Sequence, residues 1–276
     1  MFNLIPLEYL WLIPLGFVLG AYGTLIGAGG GFVLVPVLLM LYPHETTDII
    51  TGISLAVVFF NALSGTLAYA RMRRIEYRSG ITFSVATIPG AILGALATAY
   101  VPRRLFDPFF GLALVAVSIY LAFRSEPRPK LGQPCPPNHR ECLVTDADGT
   151  SHRFFYSQPL GIGMSGAVGF LSSLLGIGGG PIYVPALVHL LNFPILVATA
   201  TSQFVLTTMA LAGTFTHIAA GTFTSGYRRT FMLVIGVILG AQFGARLSRR
   251  VQGTWIIRGL AIALAVVGVR LLMMAL

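Results

Sequence analysis

Two glycine strings are the places in this sequence where the backbone itself can do chemistry: Gly27-Ala28-Gly29-Gly30-Gly31 and Gly176-Ile177-Gly178-Gly179-Gly180. Glycine is the poorest helix former after proline and accepts positive φ, so each string predicts a break in helical backbone. At membrane depth, such backbone persists only where protein or a water-filled cavity satisfies it. In transporters, breaks of this kind aim half-helix N-termini at anions, each end acting as roughly half a positive charge. Gly29, Gly30, Gly31, Gly178, Gly179 and Gly180 are therefore candidate substrate-binding positions. Close helix packing through small residues is the alternative use. A dinucleotide loop does not fit, because neither string follows a strand of the soluble type.

Small polar residues follow each string: Thr51, Gly52 and Ser54 after the first, Thr199, Thr201, Ser202 and Gln203 after the second. Their side chains can cap a helix, bond back to its carbonyls, or donate to a ligand. Ser54, Thr201, Ser202 and Gln203 are the candidate substrate contacts, with Ser54, Ser202 and Gln203 expected to donate directly to an anion. Asn61, Thr207 and Thr208 lie deeper in the same segments and are expected to bond between helices.

The sign of the substrate follows from the ionisable groups. Glu8, Glu45, Asp48, Glu76, Asp107, Glu126, Glu141, Asp146 and Asp148 are all the acidic residues, and each falls at a segment end or in a loop. Cation exchangers and many proton pumps place carboxylates inside a span, so an anion or a neutral solute fits better. His217, at the position matching Tyr69 in the repeat described below, can lie within a span, which makes these two residues candidates for a proton-linked role. A polar helix end facing water is the other reading of His217. Neither an enzyme nor a cofactor or metal site is expected. There is no HExxH, no paired aspartates and no nucleophile elbow, and GMSG at Gly163 to Gly166 has no base partner. Cys135, His139, Cys142 and His152 match no strong zinc spacing.

The elements that position these groups must be membrane helices. The chain has 276 residues, 55% hydrophobic and only 10% charged, where soluble domains carry about 25% charge. Tyr9 to His44 holds 36 uncharged residues. As one helix these would reach about 54 Å, against a hydrocarbon core of about 30 Å, so the segment must break. It is also too long for a signal peptide's apolar core and lacks a basic leader, so it is expected to stay in the mature protein. Apolar segments fall at 9–26, 31–42, 48–70, 80–101, 106–123, 159–176, 181–191, 195–220, 230–247 and 255–276. The fold class expected is all-α, a polytopic bundle of 8–10 segments with glycine-broken helices. The net charge of +9 comes from short basic clusters between apolar runs, which read as topology signals facing anionic lipid and not as a nucleic-acid surface.

The two halves repeat. GTLIGAGGGFVLVP from Gly23 matches SSLLGIGGGPIYVP from Ser172, ALSGT from Ala62 matches ALAGT from Ala210, and GAILGA from Gly90 matches GVILGA from Gly236, at offsets of 149, 148 and 146. The domains expected are a first repeat at 1–124, a polar cytoplasmic connector at 125–158 with a small hairpin around Asp148-Gly149, and a second repeat at 159–276. Cys135 and Cys142 in the connector are expected to be reduced and shielded from an impermeant thiol reagent added outside. If every segment crosses, the repeats are inverted and 13 basic residues lie inside against 5 outside; if each glycine-broken pair crosses once, the count is 12 against 6. The positive-inside rule accepts both.

The paired GxGGG strings followed by VP, TGISL at Thr51, ATSQF at Ala200 and GTFTHIAAG at Gly213 resemble the sulfite exporter TauE/SafE family across both repeats. The resemblance implies a secondary transporter of sulfur-containing anions such as sulfite, sulfonates or thiosulfate in the bacterial inner membrane. The partners expected are that small inorganic or organosulfur anion and the lipid bilayer, with a homo-oligomer left open and no nucleic acid. A passive anion channel, or a membrane subunit or intramembrane enzyme of sulfur metabolism, are the competing functions.

Overall fold

The computed structural model describes residues 9–42, 44–123, 139–221, 226–250 and 253–275. Every apolar segment expected from the sequence becomes a helix: α1 (Leu12–Ile26), α2 (Gly31–Leu41), α3 (Thr47–Arg71), α4 (Tyr77–Thr98), α5 (Arg103–Phe123), α6 (Gln158–Leu175), α7 (Gly180–His189), α8 (Ile195–Ala219), α9 (Tyr227–Leu247) and α10 (Gly253–Ala275). The expected polytopic all-α bundle is the fold. α3, α4, α8 and α9 are each long and apolar enough to cross a bilayer. Their outward side chains, including Leu67, Val85, Leu93, Phe215, Phe231 and Leu239, are exposed and apolar, as lipid-facing surface must be.

Helix directions can be read from the contacts. α3 and α8 run in opposite directions through the centre: Asp48 meets His217 at one end, and Thr66 lies 3.2 Å from Thr207 further along. α5 and α10 are also opposed, with Gly111 against Gly268 and Ser118 Oγ donating to the Ala261 carbonyl at 2.8 Å. α1 lies along α9 in the same direction, where Gly236, Gly240 and Gly244 receive the carbonyls of Ile13, Phe17 and Ala21. α6 lies along α4 in the same way, Gly90 and Gly94 meeting the carbonyls of Gly166 and Phe170. Only a missing Cβ lets a carbonyl approach so closely, and these small-residue seams replace the hydrophobic driving force that lipid removes.

The glycine-broken pairs turn back after a first helix that runs most of the length of the bundle: Thr24 of α1 reaches Tyr69 in the last turn of α3, and Leu174 of α6 reaches Thr98 at the end of α4. α2 folds back along α1, with the Tyr22 and Phe32 rings 6.4 Å apart, and it returns Tyr42 and Glu45 to Arg229 at the head of α9, the face where α1 begins. α7 likewise returns along α6, bringing Phe193 onto Phe154 and Tyr156 just ahead of α6. Each half therefore has one re-entrant hairpin and three full-length helices. The scheme that counts each glycine-broken pair as one crossing does not describe this arrangement, because the chain after each string returns to the face it came from. Each helix of the first half runs opposite to its counterpart in the second. Among the described residues, ten of the 13 basic residues expected inside, Arg71 to Arg78, Arg140, Arg153 and Arg246 to Arg258, lie on the face of the 71–76 turn.

On that face, β1 (His139–Thr145) and β2 (Ser151–Ser157) pair antiparallel around the expected Asp148-Gly149 turn. The hairpin is docked: Arg74 Nε donates to Asp146 Oδ2 at 3.0 Å, the Ala147 N–H to the Met72 carbonyl at 2.9 Å, and Ser79 Oγ to the Tyr156 hydroxyl at 2.8 Å. Cys142 faces inward, and burial pushes its thiol up to about 11. A buried, protonated thiol is a poor target from either side, so Cys142 does not report topology by labelling; Cys135 lies outside the described residues. Among the described residues no three His, Cys, Asp or Glu side chains cluster as a metal site. Breaking a buried ion pair by removing one partner costs about 3–5 kcal/mol. Asp146→Asn should therefore lower the melting temperature and open the hairpin to limited proteolysis, whereas Asp148→Asn, at an exposed carboxylate, should do neither.

Candidate functional site at the meeting of two helical hairpins

The two glycine strings are the tips of the two hairpins: Gly29, Gly31 and Gly178 meet against Val58 at the middle of α3, while Gly27 reaches Thr199 near the start of α8 and Gly176 reaches Thr51 near the start of α3. A Cβ on Gly31 would stand 2.8 Å from the Ile177 carbonyl carbon, and one on Gly180 would stand 2.0 Å from Ala28 Cα, so the tips touch backbone to backbone. Val58, near the middle of α3, lies against Gly29, Gly31 and Gly178, and Leu206, its match on α8, lies against Gly29. Gly30 and Gly179 are the residues before α2 and α7, both at φ +79°, a conformation that only glycine adopts at little cost.

Each tip brings the C-terminal carbonyls of one helix and the N-terminal N–H groups of another to the same place, and the protein treats them differently. The carbonyls are capped. Ser202 Oγ donates to the Gly27 carbonyl at 3.0 Å, and Ser54 Oγ donates to the Gly176 carbonyl at 2.6 Å. The Tyr69 hydroxyl donates to the Thr24 carbonyl at 2.9 Å, and Gln203 Nε2 to the Gly23 carbonyl at 3.3 Å. The methyl groups of Thr199 and Thr51 complete the symmetry against Gly27 and Gly176. By contrast, among the described residues the N–H groups of Gly30, Gly31 and Phe32 at one tip, and of Gly178, Gly179 and Gly180 at the other, meet no acceptor. Since α2 and α7 run from the tips toward opposite faces, their positive ends confront each other head-on.

Buried polar side chains without partners surround the tips. Ser172 Oγ is one, close enough to Gly179 that a Cβ there would stand 2.7 Å away; Ser173 Oγ, Asn61 Nδ2 and Gln203 Oε1 are others. A buried polar group left unpaired costs about 1–3 kcal/mol, so these atoms are places where a ligand or an ordered water would be held.

A model of the sulfite exporter TauE/SafE family matches residues 12–271. The chain belongs to the sulfite exporter TauE/SafE family. Relatives of this family member include the probable membrane transporter protein YunE of Bacillus subtilis, 32% identical over 274 residues, which cover 96% of this chain and 98% of the relative. The probable membrane transporter protein MJ0441 of Methanocaldococcus jannaschii is 25% identical over 262 residues, covering 89% and 90%. YfcA of Escherichia coli, another probable membrane transporter protein, is 25% identical over 223 residues, covering 80% and 74%. No solved structure matches. This TauE/SafE protein is a multi-pass membrane transporter and not an enzyme.

The structure brings Gly29, Gly30, Gly31, Gly178, Gly179, Gly180, Ser54, Ser202 and Gln203 of this TauE/SafE chain to the tips. The hydroxyls of Ser54 and Ser202 are committed to carbonyls and not left pointing at open space. Thr201 is turned away, its hydroxyl accepting from the Glu76 N–H at 3.1 Å. Tyr69 joins the caps. His217 is buried and does not face water; its Nδ1 lies 2.9 Å from Asp48 Oδ1. Thr207 donates to the Gln203 carbonyl of its own helix at 2.9 Å and lies 3.2 Å from the Thr66 hydroxyl of α3, and Asn61 Oδ1 accepts from Thr24 of α1 at 3.2 Å. Sequence reasoning passed over Ser172 and Ser173. The signal was present, because they stand where the first repeat has Gly23 and Thr24, a departure confined to one half. A cavity of about 340 Å³ lined by Val101, Leu105, Phe106, Phe109, Leu174 and Leu175 is apolar.

Proposed function

We propose that this protein is a secondary transporter that carries a small sulfur oxyanion between the two hairpin tips, across the bacterial inner membrane. The observation that carries the reading is the asymmetry at the tips: side chains neutralise the carbonyl ends, while two N-terminal ends converge uncapped. Such a centre attracts negative charge, and hydrogen bonds to a charged ligand contribute about 1.5–3 kcal/mol each. A compact oxyanion such as sulfite presents several acceptors to several N–H groups at once. Ser172 Oγ adds a side-chain donor, and Ser54, Ser202, Gln203 and Tyr69 keep the carbonyl ends from repelling the anion.

The hairpins also supply a route. The α1–α2 hairpin enters from the face where α3 begins, and the α6–α7 hairpin from the face carrying the β-hairpin. Withdrawal of the first opens the tips to one side, and withdrawal of the second opens them to the other. With both in contact, as here, the centre is closed by Val58 and Leu206. The ten basic residues that lie on the β-hairpin face among the described residues support placing that face in the cytoplasm.

Purified protein should be stabilised by its anion, by about 2.7 kcal/mol at about 100 times the dissociation constant. A thermal-shift comparison of sulfite, thiosulfate, an organosulfonate and sulfate should single out one or more of the sulfur anions, with saturable flux of the same anion in proteoliposomes. Stabilisation by chloride alone, or flux that rises without saturating, would favour a channel instead.

A further inference from the structure

The buried His217 and the partly buried Asp48 form a pair that the anion site does not use. Asp48 belongs to the first turn of α3 and His217 to the last turns of α8, and Nδ1 of the ring lies 2.9 Å from Oδ1 of the carboxylate. The imidazole side chain is 1% exposed and the carboxylate 14%. The sequence placed Asp48 at a segment end, where water would surround it; packing of α3 against α8 encloses it instead. Glu45, ahead of α3, pairs with Arg229 at the head of α9 at 2.9 Å, and Arg229 also lies over the Tyr42 ring. Arg228 is exposed beside Tyr227, Arg104 at the start of α5 is exposed, and the α6–α7 tip carries no ionisable side chain.

We infer that Asp48 and His217 are the proton-binding site that couples anion movement to the proton gradient, a role that rests on the anion-transport reading above. Histidine exchanges a proton within the physiological range more readily than any other ordinary side chain. Here one added proton turns a carboxylate facing a neutral ring into an ion pair joining α3 to α8. The change is made beside the α6–α7 tip. A Cβ on Gly52 would stand 3.3 Å from the His217 ring, Thr51 packs on Gly176, and Ser54 holds the Gly176 carbonyl. Two turns of α3 therefore carry the proton site, the tip contact and the carbonyl cap in sequence. The positive charge gained at His217 lies toward the bound anion, so proton and anion favour each other's presence and travel together. The matching place at the other end of α3 holds Tyr69, a neutral hydroxyl already donating to Thr24, so the device serves one hairpin only.

The test uses full-length protein in proteoliposomes with a trapped pH dye and radiolabelled sulfite, thiosulfate or methanesulfonate as probes. At equal pH on both sides, Asp48→Asn and His217→Gln should exchange the transported probe within about twofold of the parent. Under a gradient acid outside, both should accumulate at least tenfold less of it, and interior acidification accompanying uptake should vanish. Asp48→Glu, which keeps the carboxylate, should restore accumulation. Undiminished accumulation in both variants would overturn the coupling role. So would loss of exchange together with accumulation in both, because the pair would then serve the fold or the anion site. If the parent exchanges none of the three probes at equal pH, the anion-transport reading fails and the coupling falls with it.

Discussion

Gly30→Leu and Gly179→Leu should each reduce anion flux by at least a hundredfold, with membrane insertion and yield close to the parent. Both glycines sit at φ +79°, where an L-residue is strained by about 1–3 kcal/mol. A Cβ at Gly30 would press on the Leu19 carbonyl at 2.9 Å, and one at Gly179 on Ser172 Oγ at 2.7 Å. The side chain has to press into the first helix of its own hairpin, α1 at Gly30 and α6 at Gly179, and displace the tip. Losing one or two hydrogen bonds of about 1.5–3 kcal/mol each is worth about 10- to 20,000-fold in affinity before any effect on hairpin movement. Gly163→Leu is the control, because nothing stands within 4 Å of a Cβ there. Measured in proteoliposomes, near-parental flux in both tip variants would reduce the strings to packing features and remove the basis of the proposed site.

Much of this arrangement could be read from residue order because lipid leaves the chain few options. A run such as Tyr9 to His44 is too long to cross once as a helix, and five consecutive positions with four glycines can only be the break. The direction taken after the break could not be read the same way. A chain that continues across and a chain that turns back have the same hydropathy, and both schemes satisfied the basic-residue count. What decides is tertiary: Tyr42 and Glu45 returning to Arg229, and Phe193 to Phe154. The site shows the same limit. Ser54 and Ser202 were legible as polar groups placed alike in two halves, but whether a hydroxyl faces a ligand or a carbonyl depends on which helix lies opposite. Only the crossing of α3 with the α6–α7 tip gives Ser54 its carbonyl. Asp48 was legible as a carboxylate and His217 as a titratable ring; their meeting required α3 and α8 to run in opposite directions.

Ser172→Ala and the pair Ser54→Ala and Ser202→Ala should separate binding from support. Ser172 Oγ is fully buried without a partner, so its removal takes away an unpaired polar group and should hold or raise the stability of the ligand-free protein. If that hydroxyl donates to the anion, affinity should fall roughly 10- to 150-fold, the worth of a hydrogen bond of about 1.5–3 kcal/mol to a charged group. Ser54→Ala and Ser202→Ala should behave differently, since each strips the cap from a buried carbonyl at 2.6 and 3.0 Å. An unsatisfied carbonyl costs about 1–3 kcal/mol, so these variants should lose stability even without ligand, and they should also bind more weakly because the bare negative end then faces the anion. Thermal unfolding without ligand and titration calorimetry with the preferred anion read the two quantities independently. A Ser172→Ala protein that binds like the parent would take that side chain out of the site. Unchanged ligand-free stability in both cap variants would show that the carbonyls find other donors, and the electropositive tip would then have to rest on the backbone alone.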